Sequence, residues 1–116
     1  PLLKRREYLP LTVNNYRRVK EILDRRSIRL VCVQYPLCSV EPLKKIFEGQ
    51  RGIIFVDNEK IFVEAVEKDG YKEYFKDIFG GIFGHCTEKG NRLLAKNIAN
   101  VILKEVFLNR PNNYFG

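Results

Sequence analysis

The sequence predicts an α/β fold built on a parallel sheet, and three observations predict it. Two short runs rich in apolar residues, 28–34 and 52–57, read as strands. Helical segments stand before, between and after them, so the strands are joined by a helical crossover and lie parallel. Neither run alternates cleanly between apolar and polar, which marks strands covered on both faces. The implied arrangement is three layers, α/β/α.

Each element follows in order. Over 12–26, Tyr16, Val19, Ile22 and Leu23 recur at helical spacing with basic residues on the other side, which predicts an amphipathic helix. The run 28–34 is stopped by Tyr35–Pro36, because proline disfavours a regular continuation of the chain before it. A short helix is expected over 42–47, with Pro42 in its first turn. After the second strand, Asp57 or Asn58 is placed to cap a helix carrying Phe62, Val63, Ala65 and Val66. Residues 71–86 are aromatic and glycine-rich. The last helix is expected over 88–107, with Leu94, Ile98, Val101 and Ile102 along one face. Residues 1–11 read as a basic extension and 108–116 as a polar tail, around a single partial domain.

With only two strands, such a sheet keeps open edges and a thin core, since independent sheets need three or more strands. The chain is therefore expected to complete its sheet through a preceding segment or through a second copy in a homo-oligomer. It opens on Pro1 and contains no methionine, so it reads as a piece of a longer product whose targeting information lies elsewhere.

Composition narrows the function classes. The 116 residues are 45% hydrophobic and 30% charged, which fits an ordinary core, and no stretch approaches the roughly 18 apolar residues of a membrane span. Cys32, Cys38 and Cys86 form no CxxC pair, which argues for a reducing, cytoplasmic setting and against a structural zinc site; no metal or other cofactor is expected. Most of the net charge of +7 comes from residues 1–30, which hold nine basic residues against three acidic ones. That segment lacks interleaved stacking aromatics, so the charge reads as a solvated helix face rather than a nucleic-acid surface.

The chemistry concentrates in one block. The single histidine, His85, stands on a loop with Gly80, Gly81 and Gly84, directly before a helix with Thr87 as its N-cap and Glu88 at its positive end. Imidazole exchanges protons near neutral pH, and a loop held by a rigid helix is where such groups are displayed. Gly90 in the first turn costs about 1 kcal/mol relative to alanine and so indicates close approach of another backbone. The pattern His85-x-Thr87-x-x-Gly90-Asn91-x-Leu93-Leu94-Ala95 resembles the last block of the SGNH, or GDSL-type, hydrolases. The strand ends Val33-Gln34-Tyr35-Pro36 and Ile54-Phe55-Val56-Asp57-Asn58 agree with the later half of that family, so the resemblance covers roughly residues 12–107.

The resemblance implies a flavodoxin-like parallel sheet of which this chain holds the C-terminal portion, and an esterase or lipase acting on a small-molecule, lipid or carbohydrate ester. It implies that His85 is the general base for a serine in a Gly-Asp-Ser block, which does not occur here: Ser27 and Ser39 stand in other settings. The family places an aspartate three residues before the histidine, where this sequence has Ile82, so the nearest carboxylate, Asp77, is the candidate to orient the imidazole across the Gly80–Gly81 loop. Ligands of open α/β folds bind beyond the carboxyl ends of the strands, which makes Gln34 and Tyr35 the candidate substrate-binding residues and places Asp57 and His85 at the same edge. Two other readings stay open: a non-catalytic α/β module acting in assembly or partner binding, and a Cys38–His85 pair performing thiol acyl transfer.

Overall fold

A computed structural model describes residues 8–81 and 84–108. The chain forms α1 (Pro10–Arg25), β1 (Leu30–Val33), α2 (Glu41–Ile46), β2 (Ile53–Val56), α3 (Glu59–Asp69), the single turn α4 (Tyr71–Tyr74) and α5 (Glu88–Ile102). It is a mixed helix and strand protein with a small parallel sheet of β1 and β2. Ile82 and Phe83, the first seven residues and residues 109–116 lie outside the described residues, and with them most of the expected extension and tail.

Local chemistry explains where the helices begin and end. Pro10 sits in the first turn of α1, where its missing N–H has no intrahelical partner to lose. The helix closes when Ser27 takes a left-handed backbone, φ 56°. Ser27 N–H then donates to the Asp24 carbonyl (3.1 Å) and Ile28 N–H to the Leu23 carbonyl (2.9 Å), the double closure that satisfies orphan carbonyls at a helix end. At α3, Asp57 Oδ1 accepts the Glu59 N–H (3.0 Å), while the Asn58 side chain makes no cap. Beyond Ile102 the expected final helix changes to wider π-helical turns over Leu103–Leu108.

The register aligns Leu30 with Ile53 and Val33 with Val56, so the pleat sorts the strand residues between two faces. Leu30, Cys32, Ile53 and Phe55 join Val40, Leu43, Ile46 and Phe47 of the α2 region and Val13 and Tyr16 of α1 in one core. The opposite face buries Ile54 and Val56 of β2, against which α5 runs. A second core gathers Phe62, Tyr74 and Phe75, with Leu93 and Leu94 of α5 packed on it.

Two expectations need correcting. Strand β1 is not covered on both faces: Val33 is 43% exposed, because the helix on that face, α5, packs against β2. In α1, the inward face is Val13, Tyr16 and the buried Lys20, whose ammonium reaches Asp24 at 2.5 Å. Val19 and Ile22, expected inside, are 45% and 48% exposed. A lysine is tolerated inside the turn because its stem packs while its head is paired.

Candidate functional site

The site is built on a stem that joins α4 to α5. Phe75 is buried against Phe62, and it pairs with Cys86 across an antiparallel bridge. Lys76 N–H donates to the His85 carbonyl (2.8 Å) and Thr87 N–H to the Tyr74 carbonyl (2.9 Å), so the two sides of the loop are laced together. Gly80 and Gly81 both take positive φ, 58° and 69°, conformations that glycine adopts without a Cβ penalty, and they turn the chain back. Tyr71, stacked on Phe75 at 4.7 Å between centroids, donates its hydroxyl to the Asp77 carbonyl (2.6 Å).

On the other side of the stem, Thr87 caps α5 as expected. Its Oγ1 accepts the Gly90 N–H (3.1 Å) and donates to the Glu73 carbonyl (2.6 Å). Gly90 is buried where any Cβ would overlap the Tyr74 carbonyl, which is the close backbone approach its presence in the first turn announces. Nearby, the Lys89 ammonium lies 3.6 Å from both Asp69 and Glu73 and 5.2 Å from the Tyr74 ring centroid.

This frame brings Asp77 and His85 together. Asp77 Oδ2 lies 2.8 Å from His85 Nδ1, and Asp77 Oδ1 accepts the backbone N–H of the same histidine at 2.6 Å. One carboxylate therefore fixes both the ring and its backbone. The ring contact first, and then the backbone N–H, hold the Asp77 carboxyl below the usual carboxylate range. With Nδ1 as the donor to an ionised carboxylate, the neutral imidazole keeps its lone pair on Nε2. The side chain is 73% exposed, and Phe79 meets the ring edge-on at 5.2 Å. The arrangement can orient a base and stabilise the imidazolium formed when that base takes a proton.

Gln34 behaves differently. It is buried, its Nε2 donates to the Ser39 carbonyl (2.9 Å) and the Tyr8 hydroxyl (3.2 Å), and its Oε1 accepts the Tyr35 N–H (2.9 Å). This candidate substrate-binding residue has its amide engaged at both ends in the turn after β1. Asn58, fully buried, donates to the Gln34 carbonyl (2.8 Å), and its Oδ1 accepts from Asn97 (2.7 Å), which also donates to the Asp57 carbonyl (3.0 Å). Asn97 was not read from the sequence as a site residue. Its signal was a polar side chain beside Leu94 and Val101 on the apolar side of α5.

Tyr35 is exposed and lines an open groove at the strand ends, which passes Leu37, Val63 and Leu94 to Gly81. The tip of the His85 loop thus reaches that groove, although His85 and Asp77 do not line it. Along α5, Thr87 and Asn97 are ten residues apart, about 15 Å of helix rise. The structure therefore ties Gln34, Asp57 and Asn58 together at the strand ends and gives His85 a separate partner, Asp77.

Compared with protein-family models, with curated proteins and with solved structures, the chain matches none. Among the described residues, no helix is long and apolar enough to cross a membrane, and no group of three or more His, Cys, Asp or Glu side chains is gathered to hold a metal ion.

Neither serine is placed as a nucleophile beside the dyad. Ser39 Oγ accepts the Glu41 N–H (3.2 Å) at the head of α2, and Ser27 closes α1. Cys86, the neighbour of His85, is half-buried, and burial pushes its thiol pKa up, which lowers the thiolate fraction available for attack. Cys38 stands in the turn after β1, its N–H donating to the Tyr35 carbonyl (3.1 Å).

Proposed function

We propose that this chain carries the base-bearing portion of an SGNH-type ester or acyl hydrolase, with His85 as general base and Asp77 as the residue that orients it. The observation that carries this reading is the two-point grip of Asp77 on His85, 2.8 Å to the ring and 2.6 Å to the backbone. In this reading Asp77 takes the role that the family gives to an aspartate at the position of Ile82. The serine and the oxyanion donors come from another segment, which also completes a three-layer, flavodoxin-like sheet.

The chemistry follows from the ring's orientation. His85 Nε2 takes the proton of the serine hydroxyl as Oγ bonds to the carbonyl carbon of an ester, and Asp77 stabilises the resulting imidazolium. The imidazolium returns that proton to the departing alkoxide as the ester C–O bond breaks. Water then attacks the acyl-serine, again giving its proton to Nε2, and the acid leaves as the serine is regenerated. The exposure of the His85 ring suits a small-molecule, lipid or carbohydrate ester as substrate.

The test uses the natural polypeptide that contains this chain. His85→Ala lowers hydrolysis of a short-chain p-nitrophenyl ester by about 10²- to 10⁴-fold or more, with the unfolding midpoint nearly unchanged, because an exposed imidazole contributes little to packing. Absence of esterase activity in the wild type, equal activity in both proteins, or a large stability loss with unaltered specific activity overturns the proposal.

A further inference from the structure

Among the described residues the two-stranded sheet leaves the outer edge of β1 without a strand partner. Gln34 N–H donates to the Val56 carbonyl across the β1–β2 ladder (3.3 Å). Because a strand's backbone groups alternate in direction, Leu30 and Cys32 also face β2, while the N–H and C=O groups of Val31 and Val33 point the other way.

The side chains around this edge are apolar beyond what the chain itself covers. A groove of about 270 Å³ is lined by all four β1 residues together with Tyr16, Val19 and Leu43. Residues of both sheet faces line it, as happens at a strand's edge and not over one face. The helical stripe read from the sequence of α1 is wider than its packing uses: Val19, which lines this groove with Val33, is exposed, and so are Ile22 one turn on and Ile28 before β1.

Charge selects the occupant. Arg18 and Arg25 lie on one stripe of α1 with Ile22, Arg26 follows Val19 by seven residues, and Arg29 directly precedes β1. All four arginines are exposed, and among the described residues none forms an ion pair; the acidic neighbours on this helix are Glu21, which is exposed, and Asp24, which is bound to Lys20. A second copy brings the same arginines and the same net charge of +7 to the interface, and like charges facing each other oppose such pairing.

We infer that the free edge of β1 docks an extended, apolar polypeptide segment flanked by carboxylates, which adds to the sheet as a third strand beside Val31 and Val33. Main-chain hydrogen bonds supply the affinity, the groove takes alternate apolar side chains, and the arginines select acidic flanks. The inference stands on this edge and does not need His85: a protein that fails every esterase assay can still bind such a segment.

The probe is an acetylated, amidated heptapeptide, Glu-Val-Thr-Val-Thr-Val-Glu, set against its counterpart with lysine at both ends, with the 116-residue chain as receptor. The acidic peptide is expected to bind at least about tenfold more tightly at low salt, to lose affinity as salt rises, and to slow hydrogen exchange at the Val31 and Val33 amides. A double variant, Arg25→Glu with Arg29→Glu, is expected to reverse the peptide preference while its circular dichroism matches the wild type. Equal binding of both peptides, or no protection of Val31 and Val33, overturns the inference. A sedimenting dimer in which both amides are already protected without peptide assigns the edge to a second copy and overturns it as well.

Discussion

At the carboxyl ends of the strands, the Gln34 and Asn58 side-chain amides each donate and accept, and Asn97 donates to both Asp57 and Asn58; at the head of α5, Asp77 and His85 pair and leave Nε2 of the ring without a described protein partner. In the first cluster Gln34 and Asn58 are buried, and Asn97 reaches Asp57 and Asn58 from about 40 residues away in sequence. The second is exposed and bridges eight. The difference is one of saturation. Amides engaged with one another fix a geometry, whereas an oriented ring with an open lone pair can react.

The sharpest way to break this contrast is to remove the orienting carboxylate. In the natural polypeptide, Asp77→Asn is expected to reduce ester turnover by about 10⁴, the scale of losing that role in a serine triad, with only a small change in stability. Steady-state kinetics beside a urea melt check both halves. A melt that collapses while turnover per folded molecule is retained would make the dyad a second structural cluster.

The strand-end network should respond in the opposite sense. Asn58→Leu removes the partner of the Gln34 carbonyl and of the Asn97 amide inside a fully buried site, at a cost of about 1–3 kcal/mol for an orphaned polar group. The expected result is a lower urea midpoint with unchanged turnover per folded molecule. An unchanged midpoint would show that these amides are exchangeable for apolar packing.

A weaker separation comes from pH. Because His85 holds the Asp77 carboxyl below its ordinary value, the stabilisation is complete above about pH 4, the unfolded range, and is lost as pH falls through the folded value. The difference in urea midpoint between wild type and Asp77→Asn should therefore shrink on acidification below about pH 4, and salt should reduce it, since both side chains are exposed. A difference that grows with acid would contradict the assigned direction.

The smallest expected effect lies outside both clusters. Ser27 holds a left-handed backbone at the end of α1, so Ser27→Gly should stabilise the fold by about 0.5–1 kcal/mol, the strain relieved less the extra freedom of glycine in the unfolded chain. A thermal melt with an unchanged or lower midpoint would show that the serine side chain earns its place there.

The sequence is most legible where the controlling contact is local. The strand centres, the Thr87 cap and the tight approach at Gly90 depend on neighbours within one turn or one loop, and each could be read from residue type and spacing. Asp77 was within reach for the same reason: eight residues and a Gly-Gly turn separate it from His85. The partners of Gln34 were not legible, because Tyr8, Ser39 and Asn58 are brought to it by tertiary packing. Val19 and Ile22 misled because periodicity defines an apolar stripe but not which part of the stripe meets a partner within the chain. Lys20 shows the converse, a charged residue carried inward by the side of α1 that does pack.

The bridge between Phe75 and Cys86, with the Lys76 and Thr87 hydrogen bonds beside it, has a consequence for redesign. His85 and Asp77 are mounted on the same short neck, so they travel as one piece, and the segment beyond the neck carries neither of them. Doubling the length of a flexible loop costs only about 0.6 kcal/mol in closure entropy. Residues inserted between Gly80 and Gly81 would therefore lengthen the rim near the strand-end groove while leaving the Asp77–His85 contact in register. That makes the Gly-Gly turn a splice point where the reach of the loop can be altered separately from the reactivity of its histidine.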